Sequence, residues 1–270
     1  MTARAPLKRF AQLVRTGQVD PAEGELRLGV DLGTANIVLA VTDSANRPVA
    51  GGWRHASVVR DGIVVDWLGA VQAVQAIRSQ LESSLRTRFE RAAVAVPPGM
   101  DAGTIKVFTN VLEACNLDPD EVVDEPVAAA TALGMTDGAV IDIGHGTTGV
   151  SVMRERQVVH STDEATGGHH MTLVLAGALK IDYDQAEKYK VNKKNEAVVF
   201  VTVRPTLEKM ATIAAEALQG HDPEKIVLVG GASSFPGAPG VFSDVLGRKV
   251  IRPGEPLFPT PLGTAMRRQP

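Results

Sequence analysis

Apolar positions along the chain alternate between short β-branched runs and longer stretches at helical spacing. Residues 28–31 and 37–42 flank a glycine turn and predict a hairpin. Residues 60–66 predict a further turn and strand. Residues 68–90 predict a long helix with Val71, Val74, Ile77, Leu81 and Leu85 on one face. Residues 92–96 read as a buried strand that stops at Pro97-Pro98-Gly99, and 104–115 as another helix. Strand and helix alternate, which places this half in the α/β class. The second half repeats the plan. A strand pair surrounds a turn at 142–147, a glycine loop covers 166–170, and helices are predicted over 171–178, 183–190 and 205–218. The β-branched run 198–203 predicts a short strand, with Pro205 opening the helix after it. Residues 226–229 read as a buried parallel strand ending at the glycine turn 230–234, the end of a strand at which open α/β sheets bind ligands.

Residues 1–26 stand apart from this plan. Leu7, Phe10, Leu13 and Val14 share one helical face, and Gly17, Pro21 and Gly24 then break the pattern. The segment reads either as a docking peptide on a tether or as an arm packed on its own domain. The Ala-rich stretch 125–134 and the small-residue stretch 261–265 read either as close-packed helices crossing between two lobes or as plain core helices.

One turn occurs twice. Leu28-Gly29-Val30-Asp31-Leu32-Gly33-Thr34 and Val140-Ile141-Asp142-Ile143-Gly144-His145-Gly146-Thr147 share a β-branched run, an Asp, a Gly and a Thr. Gly33, Gly144 and Gly146 let the backbone approach a phosphate, and successive N–H groups in such a turn form an anion-binding concavity. Asp31 and Asp142, at the strand ends, suit Mg²⁺ held through its waters, and Thr34 and Thr147 add hydroxyl donors. Two such turns far apart in sequence imply two similar half-molecules with a triphosphate between them.

Other nucleotide motifs are excluded. The chain has no G-x-x-x-x-G-K-[ST]. Residues 144–149 fit G-x-G-x-x-G, and Asp163 and Glu164 lie at ribose-ligand distance. The alternating residues that follow the glycines read as a strand, however, where a dinucleotide site needs a helix. The 270 residues carry a formal net charge of −3 and are 44% hydrophobic, enough for one large domain or two lobes. Near-balanced charge argues against nucleic acid as a partner. The single Cys115 excludes a disulfide framework, and no apolar run reaches transmembrane length, so a cytoplasmic location is expected. His169-His170 invites a metal, but adjacent strand histidines point apart. A contact to nucleotide or partner is the favoured reading.

In this order the motifs resemble the actin-like ATPase superfamily of actin, heat-shock 70 chaperones, sugar kinases and bacterial cell-shape proteins. Residues 31–34 and 142–147 look like its two phosphate motifs, 125–130 and 261–265 its connecting helices, and 229–233 its adenosine motif. Residues 58–64, 163–170 and 186–190 narrow the similarity to the ethanolamine-utilisation protein J family, described as chaperone-like. The implied fold is α/β: a duplicated, ribonuclease H-like actin-like ATPase fold, two lobes around a nucleotide cleft, with reduced outer subdomains. The implied division is an arm (1–26), a first lobe (27–138), a second lobe (139–253) and a connecting helix returning to the first lobe (254–270).

The resemblance also implies roles. Asp31 and Asp142 would hold hydrated Mg²⁺. Gly33, Thr34, Gly144, Gly146 and Thr147 would cradle the phosphates of ATP or ADP, and Glu125 would orient or deprotonate the attacking water. Gly168, Gly230 and Gly231 would admit the nucleotide against backbone, and Glu187 and Lys190 would bind ribose or adenine. Three departures point to weak hydrolysis or binding. No lysine lies between Lys8 and Lys106, leaving the first-lobe cation absent or replaced by an arginine such as Arg60. Ser234 stands where a chaperone arginine stacks on adenine, and His145 replaces a glycine. The expected function is an ATP-binding, chaperone-like accessory protein of ethanolamine utilisation. Its expected partners are ethanolamine-catabolic enzymes or microcompartment shell proteins, or further copies of itself. A nucleotide-controlled assembly protein is the alternative, and a small-molecule kinase ranks last.

Overall fold

The computed structural model describes residues 4–60 and 63–266. After helix α1 (Arg4–Thr16), the first half runs β1 (Arg27–Leu32), β2 (Asn36–Thr42), β3 (Pro48–His55), a hairpin of β4 (Val59–Arg60) and β5 (Ile63–Val64), α2 (Trp67–Leu85), β6 (Arg91–Val96), α3 (Ala102–Ala114), β7 (Asp118–Asp124) and α4 (Glu125–Ala132). The second half runs β8 (Gly138–Ile143), β9 (Thr148–Arg154), β10 (Gln157–Glu164), α5 (Gly168–Leu179), α6 (Tyr183–Val191), α7 (Glu196–Ala217), β11 (Ile226–Val229), α8 (Ala238–Leu246), β12 (Val250–Ile251) and α9 (Pro259–Ala265).

The strand order is β3-β2-β1-β6-β7 in one sheet and β10-β9-β8-β11-β12 in the other. In each, three strands form an antiparallel meander and two more join in parallel. The halves are copies of one topology. One face of the first sheet packs Leu28, Val30 and Leu32 against Val74 and Ile77 of α2 and Phe108 and Leu112 of α3. The second sheet packs Ile141, Ile143 and Val152 against α5, α7 and α8 in the same way.

The opposite faces are covered by exchanged helices. α4, which ends the first half, lies on β8 and β9 of the second sheet, and α9, which ends the second, lies on β1 and β2 of the first. Ala129 and Ala130 meet Val140, Val227 and Val229, while Leu262 and Ala265 meet Val38 and Ala40. α4 and α9 cross where Gly263 rests on the Ala128 carbonyl, so closely that a Cβ on Gly263 would overlap it. The Ala-rich and small-residue stretches are therefore crossing helices between the lobes.

Of the two readings of the arm, the structure shows the packed one: Leu7, Phe10, Leu13 and Val14 of α1 are buried against β3 and the segment leading into α9. Phe10 meets Phe258 edge to face at 5.7 Å, Arg9 pairs with Asp20, and Arg15 pairs with Glu255 at 2.5 Å. Two local expectations are corrected. Residues 198–203 are helical, inside α7, with Pro205 in the helix interior. Val199, Val203, Leu207, Met210 and Ala214 fall on one buried face, and that burial outweighs β-branched propensity. The long helix stops at Leu85, because Arg86 turns left-handed (φ 52°) and its N–H closes on Glu82 O.

Candidate functional site

Between the sheets lies a cleft of about 500 Å³, and every residue singled out above as a phosphate, metal, base or catalytic candidate is on its lining. The β1–β2 turn brings Asp31, Gly33 and Thr34 from one side. The β8–β9 turn brings Asp142, Gly144, His145, Gly146 and Thr147 from the other. Glu125 enters at the start of α4, Gly168 at the start of α5, Glu187 and Lys190 from α6, and Gly230, Gly231 and Ser234 from the turn after β11. The second turn is tightly anchored. Gly144 N–H donates to Thr147 O (2.9 Å), and Gly168 N–H and His169 N–H donate to Gly144 O and His145 O (3.0 and 2.7 Å). Gly230 is left-handed (φ 87°) and packs directly on Asp142, where no side chain fits.

The floor of the cleft is acidic. Asp142 is 7% exposed, and Thr260 Oγ1 donates to its Oδ2 at 2.8 Å. Burial pushes Asp142 up to about 6 despite that bond. Burial, and then the Asp142 charge, push Asp31 up to about 7. Burial holds Glu125 well above the usual carboxylate range, and Asp142, Asp31, Asp163 and Asp124 add to the effect. Carboxylates that resist ionisation together favour a cation among them. Among the described residues no three His, Cys, Asp or Glu side chains converge closely enough to hold a bare metal ion. Asp31 and Asp142 thus face each other across the cleft as two oxygen-donor side chains from opposite lobes.

Toward the other end the lining is mixed, with Met171, Val191, Phe235 and Pro236 beside Asn192 and Lys193. Lys190 Nζ donates to Gly168 O (3.0 Å), Thr172 Oγ1 (2.6 Å) and Glu187 Oε2 (2.7 Å), which engages all three of its hydrogens. Lys190 and Glu187 thus knit α6 to α5 on the lining of the cleft. Burial, followed by Lys190, drives His145 down to about 4, so it is neutral near pH 7. Its Nε2 meets the Tyr183 hydroxyl at 2.9 Å, and His169 Nδ1 meets the same hydroxyl at 2.8 Å. His169 and His170 lie in the first turn of α5 and not on a strand or on the lining. His170 Nδ1 accepts from Gly167 N–H at 3.2 Å, so the pair closes the start of the helix. The Arg60 side chain lies outside the described residues.

Sequence reasoning missed Thr260 and Tyr183 as site residues, and took Asp163 only as half of a false dinucleotide motif. Thr260 had a signal. Aligned on their prolines, Glu125-Pro126-Val127-Ala128 and Thr260-Pro261-Leu262-Gly263 begin the two exchanged helices, and Ala128 and Gly263 are the residues that meet. Tyr183 had none.

A duplicated five-stranded sheet, two exchanged helices and paired glycine turns around one cleft define the actin-like ATPase fold. The MreB/Mbl protein family model matches residues 51–186, and the cell division protein FtsA model matches 139–266. MreB5 of Spiroplasma citri, crystallised with ADP, has the same fold at a TM-score of 0.73 and 18% identity, over 89% of this chain and 95% of that one. Ethanolamine utilization protein EutJ of Salmonella typhimurium is 42% identical over 241 residues, 89% of this chain and 85% of that protein. The crystal structure of EutJ from Carboxydothermus hydrogenoformans gives a TM-score of 0.90 at 41% identity, covering 97% of both chains. The chain belongs to the EutJ family of ethanolamine utilization proteins.

Proposed function

We propose that this protein binds ATP and ADP with Mg²⁺ in the interlobe cleft and acts as a chaperone-like accessory of ethanolamine utilization, with weak or partner-dependent ATPase activity. The observation that carries the proposal is the convergence of both Asp-x-Gly turns, the Gly230-Gly231 turn and Glu125 on one lining. Asp31 and Asp142 hold the hydrated metal, which neutralises phosphate charge. Gly33, Thr34, Gly144, Gly146 and Thr147 receive the phosphates, and Glu125, kept basic by its neighbours, orients or accepts a proton from water. Among the described residues on the lining, the first lobe contributes no lysine or arginine. With His145 neutral as well, little positive charge faces the γ-phosphate, which supports slow turnover. The relatives' role in ethanolamine utilization supports the pathway. We assign a cytoplasmic location, in contact with the pathway's enzymes or a microcompartment shell. No described helix is long and apolar enough to cross a membrane.

Calorimetric titration of Mg-ATP and Mg-ADP into the wild type and into Asp31→Ala/Asp142→Ala tests the proposal. Binding by the wild type that the double variant loses is the expected result, and no binding at millimolar nucleotide overturns it. Nucleotide-controlled self-assembly is a second reading. It is favoured by exposed Ile63, Val65, Trp67 and Leu68 on one lobe and Val191, Val198 and Val201 on the other. Sedimentation that depends on both protein concentration and ATP would support it.

A further inference from the structure

Asp163 stands one strand behind the lining, placed there by register. β8, β9 and β10 pair so that Asp142, Gly149 and Asp163 form one row across the second sheet. The glycine in the middle leaves a notch, and the Asp163 carboxylate leans into it. A Cβ on Gly149 would stand 3.3 Å from Asp163 Oδ1, with Pro126 at 3.5 Å and Pro98 at 3.6 Å. Asp163 therefore lies under the start of α4, next to Glu125. Its Oδ1 is buried and accepts no hydrogen bond, a condition shared among the described side chains only by Arg27 Nε. The neighbouring first-turn residue of α4 is Pro126, which has no N–H to give. A buried carboxylate oxygen without a donor destabilises the fold, and groups of this kind concentrate where a ligand needs them. Burial pushes Asp163 up to about 7, although the Thr147 hydroxyl beside it favours the ionised form and the Asp142 charge opposes it. In the first sheet the matching row is Asp31, Val38 and Trp53, with no second carboxylate.

We infer that Asp163 is a positioning residue for magnesium-bound nucleotide, acting through Thr147 and Glu125 from behind the second phosphate turn. The inference rests on the nucleotide reading proposed above. The chemistry is a matter of charge balance. A hydrated metal held by Asp31 and Asp142 would supply the positive charge that the protein withholds from Asp163 and its neighbours. Without the metal, the same carboxylate repels phosphate. Asp163 therefore makes the cleft select the magnesium form over the free nucleotide.

The test is calorimetric titration of ADP, once with Mg²⁺ and once with EDTA, into wild type, Asp163→Asn and Gly149→Ala. Supporting residues of a metal site typically contribute 10–100-fold to affinity, so Asp163→Asn is expected to weaken Mg-ADP about tenfold. Metal-free ADP should bind Asp163→Asn as well as wild type or better, so the magnesium dependence collapses. Gly149→Ala keeps every carboxylate and crowds Asp163, and it should move the ratio in the same direction by less. The nucleotide-free Asp163→Asn protein should melt no lower than wild type, because a carboxylate whose ionised form burial disfavours has been removed. An equal loss with and without metal, together with a lower melting temperature, would reduce Asp163 to a structural role and overturn the inference. Unchanged affinities in both conditions would overturn it too. A wild type that binds ADP in neither condition would overturn the nucleotide reading and this inference with it.

Discussion

The two Asp-x-Gly turns that face each other across the cleft are one motif built twice, and they are supported unequally. The second is locked in place. Thr260 caps Asp142, Gly230 packs on its carboxylate, the turn's carbonyls are tied to α5, and Tyr183 bridges His145 to His169. The first turn is looser. Asp31 takes no side-chain donor among the described residues, and where Thr260 serves Asp142, the position equivalent to it in the first half is Glu125, an acid whose own proton affinity is raised by burial and then by Asp142 and Asp31. Duplication supplied the cleft, and divergence left one wall tied down by side-chain contacts and the other lined by acids without such partners among the described residues. Catalytic and metal-holding groups need charge that the protein does not neutralise by itself.

The largest effect should come from the point where the halves join. Gly263→Val drives a side chain into the Ala128 carbonyl and should destabilise the protein by about 3 kcal/mol or more, read by urea denaturation. A variant as stable as wild type would mean that the helices do not cross so closely. Next is Thr260→Val, which leaves Asp142 buried without its donor. It should lower stability by about 1–3 kcal/mol and weaken Mg-ATP binding severalfold, whereas the two walls would be equivalent if affinity held.

The acidic floor also sets a pH response. Asp31, Asp142 and Asp163 have folded values raised to about 7, about 6 and about 7. The folded state thus holds protons that the unfolded chain has lost, so stability falls as pH rises through those values. The nucleotide-free protein should melt several degrees higher at about pH 6.5 than at about pH 8, and Asp31→Asn should shrink the difference. Below that window His145, down near 4 when folded, offsets about one proton of that gain, because it takes its proton only in the unfolded chain. A melting temperature that rises toward pH 8 would contradict the assignment. The smallest effect is expected from Tyr183→Phe, which removes a half-buried bridge from the well-supported wall and should cost about 1 kcal/mol in denaturation experiments.

The cleft was legible because its parts are punctuated locally. Asp-x-Gly-Thr after a β-branched run, and Gly-Gly after Ile226–Val229, announce strand ends wherever they occur. Residues 198–203 misled because a β-branched run is equally compatible with a strand and with a buried helix face, and length did not arbitrate. β3, β7 and β10 went unread because edge strands carry weak alternation. β7 carries four acids and two adjacent valines, and only Val123 in it is buried. The two readings of α1 could not be separated, since an amphipathic stripe looks the same whether it docks on a partner or on Phe258 of its own chain.

What the sequence by itself determined is the duplication, the place of both turns and the identity of the carboxylates at their strand ends, because turn geometry depends on neighbours a few residues apart. Only the tertiary structure decided which lobe each connecting helix covers, that Lys190 is engaged within the protein, and that Asp163 lies behind Thr147. Those facts depend on packing and strand register between distant segments. A single step of register would have turned Asp163 to the other face of its sheet.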